Sequence, residues 1–317
     1  MAGDGGWRAL GAQDVGVTRD GDRLLDGLEE RPGGEVTCQV RVLPGHPFFF
    51  EHEVDHLPGL YLLEAGRQAA LVAARRSVGL PVAPATAACA FRARFDGFAE
   101  KAAALVADAG ARATEEGAVE VDLVARQATR LLVRGRARWS FVEEAALADL
   151  LAAPCAPEPP APRGRAAVPR QAVHKRLEEN VLLEWVAPAG EGFDARLRAL
   201  PEHPYFEPRR WGRLPGLYLV EACRQLAEAI AHLHLGAAQG DAFVLEDLTV
   251  DLPRPARLDA AVRIEAVPHE VERGRGGLRR LRLLFRARQG ERLVLAGDAG
   301  ARVVPGRVYR RARRGVA

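Results

Sequence analysis

A long motif occurs twice in this chain, and the duplication limits the folds that the chain can adopt. Residues 46–68 read HPFFFEHEVDHLPGLYLLEAGRQ, and residues 203–225 read HPYFEPRRWGRLPGLYLVEACRQ. The two segments align without a gap at an offset of 157 positions, close to half of the 317 residues. A repeat of this length in two copies predicts two similar domains rather than a solenoid, which requires several short repeats.

A segment rich in proline and alanine lies between the two copies. Residues 154–170 read PCAPEPPAPRGRAAVPR, and such a composition favours a semi-rigid linker over a helix or a central strand. We therefore expect a first domain over residues 23–153, a linker over 154–170 and a second domain over 171–317. Residues 1–22 contain many glycines and aspartates, which predicts a loosely ordered N-terminus.

Each half repeats one order of predicted elements. A short strand (36–43 or 193–200) precedes a His-Pro loop, and a helix follows, from Leu60 to about Arg76 or from Leu217 to about Leu235. Alternation of apolar and polar residues then predicts four strands in each half. These are 88–95, 102–109, 118–125 and 129–141 in the first half, and 243–252, 260–267, 278–288 and 292–303 in the second.

The predicted helices are apolar on nearly all sides near their starts, which is typical of a helix buried in a core. We expect Leu60, Leu63, Leu217 and Val220 to lie in that core. One buried helix followed by four antiparallel strands is an α+β pattern, in which each sheet wraps around a central helix.

Composition excludes several classes of protein. The net charge is only +3, and no dense basic block with interleaved aromatic residues is present, which argues against nucleic-acid binding. The four cysteines are widely spaced, so we expect neither a metal site nor a disulfide framework, and a reducing cytoplasm is the expected compartment. No secretory signal and no membrane span is recognisable, and no cofactor motif is expected.

The motif text resembles a known family. The segment VDHLPGLYLLEAGRQA, the Val173-His174-Lys175 segment and the Tyr309-Arg310-Arg311 segment together are similar to the A-factor biosynthesis hotdog family, the γ-butyrolactone synthases of actinomycetes. The central-helix motif also resembles that of β-hydroxyacyl-carrier-protein dehydratases. The resemblance implies a tandem double hotdog. One departure is that the domain with the VHK and YRR segments comes second here, whereas it comes first in the family.

The resemblance also implies an active site between two units, where the loop histidine of one faces the helix carboxylate of the other. His46 would then meet Glu221, and His203 would meet Glu64. A histidine beside a carboxylate provides general acid–base chemistry near neutral pH. We expect the site of His46 and Glu221 to be the working one. Alternatively, each glutamate pairs with the arginine three positions later, and each histidine shapes its loop by capping a backbone group.

Other predicted site residues surround these four. The amide of Gly59 or Gly216, at a helix start, can stabilise an oxyanion. Supporting residues are expected at Arg67, Gln68, Arg224, Gln225, Asp55 and His56.

The two His-Pro loops differ in charge. The first carries Glu51, His52, Glu53, Asp55 and His56, whose spacing matches no familiar metal-ligand set. The second carries Arg209, Arg210 and Arg213, which could bind a phosphate group because guanidinium groups match phosphate oxygens. Alternatively, the arginines form a solvated basic loop that pairs with the acidic one.

The resemblance implies a function in acyl transfer. A β-ketoacyl group would pass from the thioester of an acyl carrier protein or coenzyme A to the hydroxyl of glycerone phosphate or a similar three-carbon alcohol, within secondary metabolism. Two alternatives stay open at this point. One is a hotdog dehydratase or thioesterase acting on acyl thioesters, and the other is a non-catalytic acyl-binding protein of a polyketide pathway.

Overall fold

The computed structural model describes residues 6–51, 55–81, 85–153, 155, 166–274 and 277–313, except the side chains of Ala85, Arg210 and Trp211. The chain divides into two compact units, Met1–Leu147 and Ala148–Ala317. The division lies inside a short helix, a few residues before the predicted linker. Most of that linker, 154 and 156–165, lies outside the described residues.

The described residues of unit 1 form seven strands and one long helix, besides two short 3-10 helices. The strands are β1 (Arg8–Ala9), β2 (Leu25–Glu30), β3 (Val36–Val40), β4 (Ala85–Phe95), β5 (Leu105–Ala113), β6 (Val119–Gln127) and β7 (Arg130–Val142), and the central helix is α1 (Gly59–Val78). The strands pair antiparallel in the order β1-β2-β3-β5-β6-β7-β4. Helix α1 packs on β5, β6 and β3, so the sheet wraps around the helix.

Unit 2 repeats this arrangement. Helix α2 (Glu144–Ala152) crosses the division between the units. The elements that follow it are β8 (Leu183–Ala189), β9 (Gly192–Leu197), α3 (Pro208–Trp211), β10 (Arg213–Leu214), α4 (Gly216–Leu233), β11 (Ala242–Leu252), β12 (Ala256–Arg257), β13 (Arg263–Gly274), β14 (Gly277–Gln289), β15 (Arg292–Val304) and α5 (Gly306–Arg313). The main sheet runs β11-β15-β14-β13-β9-β8, the order of β4-β7-β6-β5-β3-β2 in unit 1.

The α+β fold, with a sheet around a long central helix in each unit, is therefore confirmed. Both central helices begin within one residue of the predicted position. Buried apolar side chains of α1 and of the facing strands form the core of unit 1, among them Tyr61, Leu132 and Val121.

The two central helices are not buried on all sides. Leu60 and Val220 are buried as expected, but Leu63 and Leu217 are only half-buried, so that part of the expectation is wrong. Gly59, Leu63 and Arg67 are spaced by four residues and all are half-buried. Residues at this spacing lie on one face of a helix, and that face of α1 is only partly covered.

The expectation of a loosely ordered N-terminus does not describe residues 6–22. This segment contains two short 3-10 helices, Gln13–Val15 and Asp20–Asp22. The side chains of Leu10, Val15 and Asp22 are buried. The apolar residues of this segment are few, but they are buried and hold the segment in place. Composition alone therefore predicted too little order. Strands β2 and β8, which pair with β3 and β9, were also missed.

Candidate active site

Each central helix begins with a glycine that follows a proline. Helix α1 starts at Gly59 after Pro58, and α4 starts at Gly216 after Pro215, with no side-chain cap at either proline. The first N–H groups of a helix have no intrahelical acceptor and carry partial positive charge. A Cβ on Gly216 would lie 2.7 Å from Cδ1 of Leu252, so a larger residue there requires a shift of that leucine. These helix starts can therefore donate to an oxygen that develops negative charge.

A buried tyrosine anchors each helix to the segment that leads into its His-Pro loop. The hydroxyl of Tyr61 donates to the carbonyl of Arg41 and accepts the N–H of Leu43 at 3.3 Å. Tyr218 likewise donates to the carbonyl of Arg198 at 2.5 Å. Burial raises the pKa of Tyr61 to about 12 and that of Tyr218 further in the same direction. Both phenols stay neutral near pH 7, so they position the loop and do not exchange protons.

In unit 1 the helix carboxylate is held by its own helix. Nε and Nη2 of Arg67 donate to the two oxygens of Glu64, each at 2.7 Å, and Glu64 is only 3% exposed. Nε2 of Gln68 donates to Oε1 of Glu64 at 2.8 Å and to the carbonyl of Asp22 at 3.0 Å. Oε1 of Gln68 accepts the N–H of Leu24 at 2.9 Å. The expected alternative, an ion pair between residues three apart, therefore describes Glu64.

In unit 2 the equivalent carboxylate has one more cation beside it. Arg224 donates to both oxygens of Glu221 at 2.6 and 2.8 Å, and Gln225 donates to Oε1 at 2.9 Å. Nζ of Lys175 lies 3.2 Å from Oε1. Burial alone would raise the pKa of Glu221, but Arg224 and Lys175 outweigh it and lower the pKa to about 2. Glu221 is thus a permanent anion near neutral pH, fixed in place and unable to serve as a proton donor.

The histidine of the first loop forms a dyad with an aspartate. Nδ1 of His46 accepts the N–H of Phe48 at 3.3 Å, and Nε2 lies 3.2 Å from Oδ1 of Asp22. Nδ1 accepts a hydrogen bond from the backbone, so in the neutral ring the hydrogen is on Nε2. Nε2 therefore donates a hydrogen bond to Asp22. Arg19 binds the other oxygen of Asp22 at 2.7 Å. The His46 side chain is 2% exposed, so it both caps its loop and pairs with a carboxylate.

The histidine of the second loop also caps backbone groups of its own loop. Nδ1 of His203 accepts the N–H groups of Tyr205 at 3.1 Å and Phe206 at 3.3 Å. Asn180 replaces Asp22 in this unit, since both residues give their main-chain carbonyl to the glutamine of the central helix. A neutral amide therefore occupies the position that a carboxylate holds in unit 1. The loop-shaping alternative describes both histidines, and His46 also has the carboxylate of Asp22 beside it.

The three arginines of the second loop lie in different surroundings. Arg209 pairs with Glu202, and both side chains are 71% exposed. Arg213 lies on β10, where burial lowers the pKa of its guanidinium. The side chain of Arg210 lies outside the described residues. Arg209 thus matches the solvated-loop alternative, whereas Arg213 is a half-buried cation just before Pro215.

The acidic loop is partly covered by the sheet of its own unit. Nδ1 of His56 lies 3.1 Å from Oδ1 of Asp55, and its ring lies 4.7 Å from that of Phe98. His52 and Glu53 lie outside the described residues. In the part of the chain that the structure describes, no group of three or more His, Cys, Asp or Glu residues is arranged to hold a metal ion.

Sequence reasoning missed several residues of these clusters, among them Asp22 and Lys175. Asp22 lies in the segment expected to be loosely ordered, so nothing marked it as a partner of His46. Lys175 belongs to the VHK segment, which carried the family resemblance, but the contact with Glu221 spans 46 positions of the chain. The pairing of His46 with Glu221 and of His203 with Glu64 across the units stays a prediction.

Comparison with known proteins identifies the family. The A-factor biosynthesis hotdog domain matches residues 7–143 and again 158–305, so both units match it and together they cover most of the chain. Among the described residues no helix is long and apolar enough to cross a membrane.

Curated relatives match only in part. Three are 2-oxo-3-(phosphooxy)propyl 3-oxoalkanoate synthases: one from Streptomyces coelicolor (42% identity over 59 residues, 19% of this chain and 18% of the relative), one from Streptomyces virginiae (51% over 41 residues, 13% of each) and one from Streptomyces griseus (39% over 71 residues, 22% of each). The matched segments thus span at most about a fifth of these relatives' length.

Solved structures with a similar fold include dehydratase domains. The dehydratase domain of RzxB from Pseudomonas fluorescens has a TM-score of 0.53 at 14% identity and covers 89% of this chain and 98% of its own. An inactive mutant of the CurJ dehydratase has a TM-score of 0.55 at 12% identity, with coverages of 90% and 97%. At these identities the likeness establishes the fold alone, which is the double hotdog.

The duplicated unit, the sheet around each central helix and the match of both halves lead to one conclusion: the chain belongs to the AfsA family of A-factor biosynthesis hotdog proteins.

Proposed function

We propose that this protein is a butenolide or γ-butyrolactone-type synthase. It transfers a β-ketoacyl group from the thioester of an acyl carrier protein or coenzyme A to the hydroxyl of glycerone phosphate or a similar three-carbon alcohol. Family membership supports the proposal, as do the partial matches to synthases whose name describes an ester of this kind. The observation that carries it is the buried His46–Asp22 dyad on the loop that leads to the uncapped start of α1.

The reaction needs one base and one oxyanion donor. In the proposed step, Nδ1 of His46 accepts the hydroxyl proton of the alcohol, and the alcohol oxygen bonds to the thioester carbon. A helix-start amide at Gly59 or Gly216 donates to the resulting oxyanion. The carbon–sulfur bond then breaks, and the proton held by His46 passes to the departing thiolate, so that free thiol and a new ester are formed.

His46 must release one hydrogen bond before it can act as this base. Its Nδ1 accepts the N–H of Phe48 at 3.3 Å, beyond the usual range of about 2.7–3.2 Å. Catalytic hydrogen bonds are often long before the substrate is bound. Once Nδ1 takes the proton, Asp22 stabilises the positive ring through the hydrogen on Nε2.

In this proposal, the helix carboxylate of the working site acts through its charge and not by proton transfer. Glu221 carries a fixed negative charge because Arg224 and Lys175 hold its pKa at about 2. A fixed anion facing His46, as the resemblance implies, would stabilise the imidazolium without exchanging a proton. The pair of His203 and Glu64 would be degenerate and would serve binding.

A first prediction separates the two histidines. His46→Ala should lower turnover by about 10²–10⁴-fold, the usual contribution of a positioned acid–base group. His203→Ala should chiefly weaken substrate binding, because the position equivalent to Asp22 holds the neutral amide of Asn180 in unit 2. Steady-state kinetics on both variants, with folding checked by circular dichroism, make the comparison. Loss of turnover in His203→Ala alone would reverse the assignment of the two sites.

The phosphate of the acceptor is proposed to bind near the second loop. Arg213 is the strongest candidate because its guanidinium is half-buried and lies just before the start of α4. Replacing Arg210 and Arg213 with alanine should weaken binding of glycerone phosphate and flatten its salt dependence. Arg209→Ala, which removes an exposed ion pair, is the matched control. Unchanged affinity in the double variant would leave a solvated basic loop as the description of these arginines.

The test of the proposed function is product analysis. The protein is incubated with a β-ketoacyl thioester and glycerone phosphate, and products are identified by mass spectrometry. The proposal predicts the phosphorylated β-ketoester. Free β-keto acid without ester indicates a thioesterase. In a parallel incubation with a β-hydroxyacyl thioester, loss of water indicates a dehydratase. Retained binding of the acyl carrier without any product indicates an acyl-binding protein.

A further inference from the structure

Arg224 joins two carboxylates of helix α4. Two of its nitrogens form the fork on Glu221, and Nη1 donates to Oε1 of Glu228. Glu228 is only 5% exposed, and burial, which would raise its pKa, is outweighed by Arg224 and His174, so its pKa falls to about 2. Both carboxylates are therefore charged near neutral pH, and between them they set the plane of the Arg224 guanidinium.

His174 occupies the far end of this chain of ionic contacts. Its Nδ1 lies 3.3 Å from Oε1 of Glu228, and its Nε2 lies 3.4 Å from the carbonyl of Gln239. Both partners are acceptors, so the contacts are satisfied when both ring nitrogens carry hydrogen, which is the imidazolium form. Burial lowers the pKa of His174 and Arg224 lowers it further, but the charge and hydrogen bond of Glu228 raise it overall.

Among the described contacts of His174, the charge of Glu228 raises its pKa most. The ring of His232 lies 5.0 Å from that of His174, and burial lowers the pKa of His232, which keeps it neutral. The ring of Phe243 lies 6.0 Å away on the strand side. Lys175, the next residue in the chain, is directed to Glu221.

Unit 1 has neither Glu228 nor His174 at the equivalent positions beside its arginine. Gly16 and His174 both close a short 3-10 helix in the left-handed conformation, with φ of 67° and 52°. A Cβ on Gly16 would lie 2.6 Å from Cδ2 of Leu71 and 3.9 Å from Nη1 of Arg67, so the two positions are equivalent in space as well. Leucine at 71 replaces Glu228. Unit 2 therefore keeps a side chain where the backbone favours glycine, and the contact of His174 with Glu228 helps to offset the cost of that conformation.

We propose that His174, as an imidazolium, is a positioning residue that holds Glu228 and, through it, orients Arg224 on Glu221. The inference rests on the proposed function, because the fixed charge of Glu221 is part of that site. When His174 loses its proton, Glu228 loses a donor and the fork of Arg224 loosens. Turnover should then fall on the alkaline side of the pH profile, with kcat affected and KM little changed.

The test uses substitutions at His174 in the full-length protein. His174→Gly installs the residue of unit 1 without backbone strain and should lower kcat about tenfold at pH 7, the order of one charge-assisted hydrogen bond. It should also remove the fall in kcat on the alkaline side of the pH profile, called here the alkaline limb. His174→Lys keeps a cation and should restore most of the turnover while moving the limb to higher pH. His234→Gln, at an exposed histidine beyond α4, is the control and should leave the limb unchanged.

A second readout does not depend on activity. The side-chain Nε–H signal of Arg224, assigned by its loss in Arg224→Lys, is followed by nuclear magnetic resonance across pH. In the wild type it should shift with the titration of His174, and in His174→Gly this shift should disappear, whereas the Arg67 signal should behave alike in both proteins. An Arg224 signal that is the same in both proteins, or a His174→Gly variant with an unchanged pH profile and only lower thermal stability, would overturn the inference. If the wild type forms no ester, the proposed function fails and the resonance experiment decides the positioning role alone.

Discussion

Asp22→Asn tests whether the carboxylate beside His46 contributes to proton transfer. The substitution is nearly isosteric, and it gives unit 1 the residue that unit 2 has at the equivalent position, Asn180. The amide oxygen can still accept from Nε2 of His46, now 3.2 Å from Oδ1 of Asp22. The contact with His46 should therefore persist, while the negative charge is lost together with the hydrogen bonds that Arg19 donates to Oδ2, because an amide nitrogen takes the place of that oxygen.

The size of the effect follows from the charges. Two unit charges about 4 Å apart attract by about 4 kcal/mol at an effective dielectric constant of about 20. Arg19 binds Oδ2 of Asp22, and its positive charge offsets part of the attraction between Asp22 and an imidazolium at His46. The remaining stabilisation of that imidazolium is about 1.5–3 kcal/mol. Since about 1.36 kcal/mol corresponds to tenfold in rate, kcat should fall about 10–10²-fold. The fall should be smaller than that of His46→Ala.

Turnover with the β-ketoacyl thioester and glycerone phosphate is the assay, and thermal unfolding checks that the variant is folded. Asn180→Asp is the matched control, because it adds a carboxylate in unit 2, where the proposal places no proton transfer. It should change turnover less than about twofold, the size of the coupling expected between independent sites. An Asp22→Asn enzyme with wild-type kcat, beside an inactive His46→Ala enzyme, would show that the charge of Asp22 plays no part. Wild-type turnover in both would refute the general base itself.

Two further predictions concern stability. Gly66→Cys, which copies the residue of unit 2, should destabilise unit 1 by about 1–3 kcal/mol in chemical denaturation, because a Cβ there would lie 2.5 Å from Cδ2 of Leu123. The carboxyls of Glu221 and Glu228 have pKa values lowered to about 2, so their stabilisation is present above the unfolded value near 4.5 and is lost as the pH falls through about 2. Urea midpoints measured from pH 5 to pH 2 should therefore fall less steeply in Glu221→Gln, and equal slopes in both proteins would contradict the assigned charge.

The regular elements could be predicted from the sequence because their signals are local. Apolar residues on all sides of the segment after Gly59 predict a buried helix, and alternation over 118–125 predicts a strand, observed as Val119–Gln127. The ion pair of Glu64 with Arg67 was one of the two alternatives predicted, because residues three positions apart are neighbours on one helix face.

The polar clusters could not be predicted because their members are far apart in the chain. Gln68 binds the main chain of Leu24, which is 44 positions away, and nothing in the local pattern selects that partner. The difference between Gly66 and its counterpart in unit 2 has the same origin. Leu123 fills the space beside Gly66, and that contact depends on how β6 crosses α1.

The most direct test of the central claim is the stoichiometry of thiol release and ester formation. A β-ketoacyl thioester is mixed with the protein at increasing concentrations of glycerone phosphate, and free thiol and phosphorylated ester are measured in the same samples. Acyl transfer predicts that thiol release rises to saturation with glycerone phosphate and that one ester forms for each thiol. Thiol release that is independent of glycerone phosphate, with free β-keto acid as the product, would contradict it.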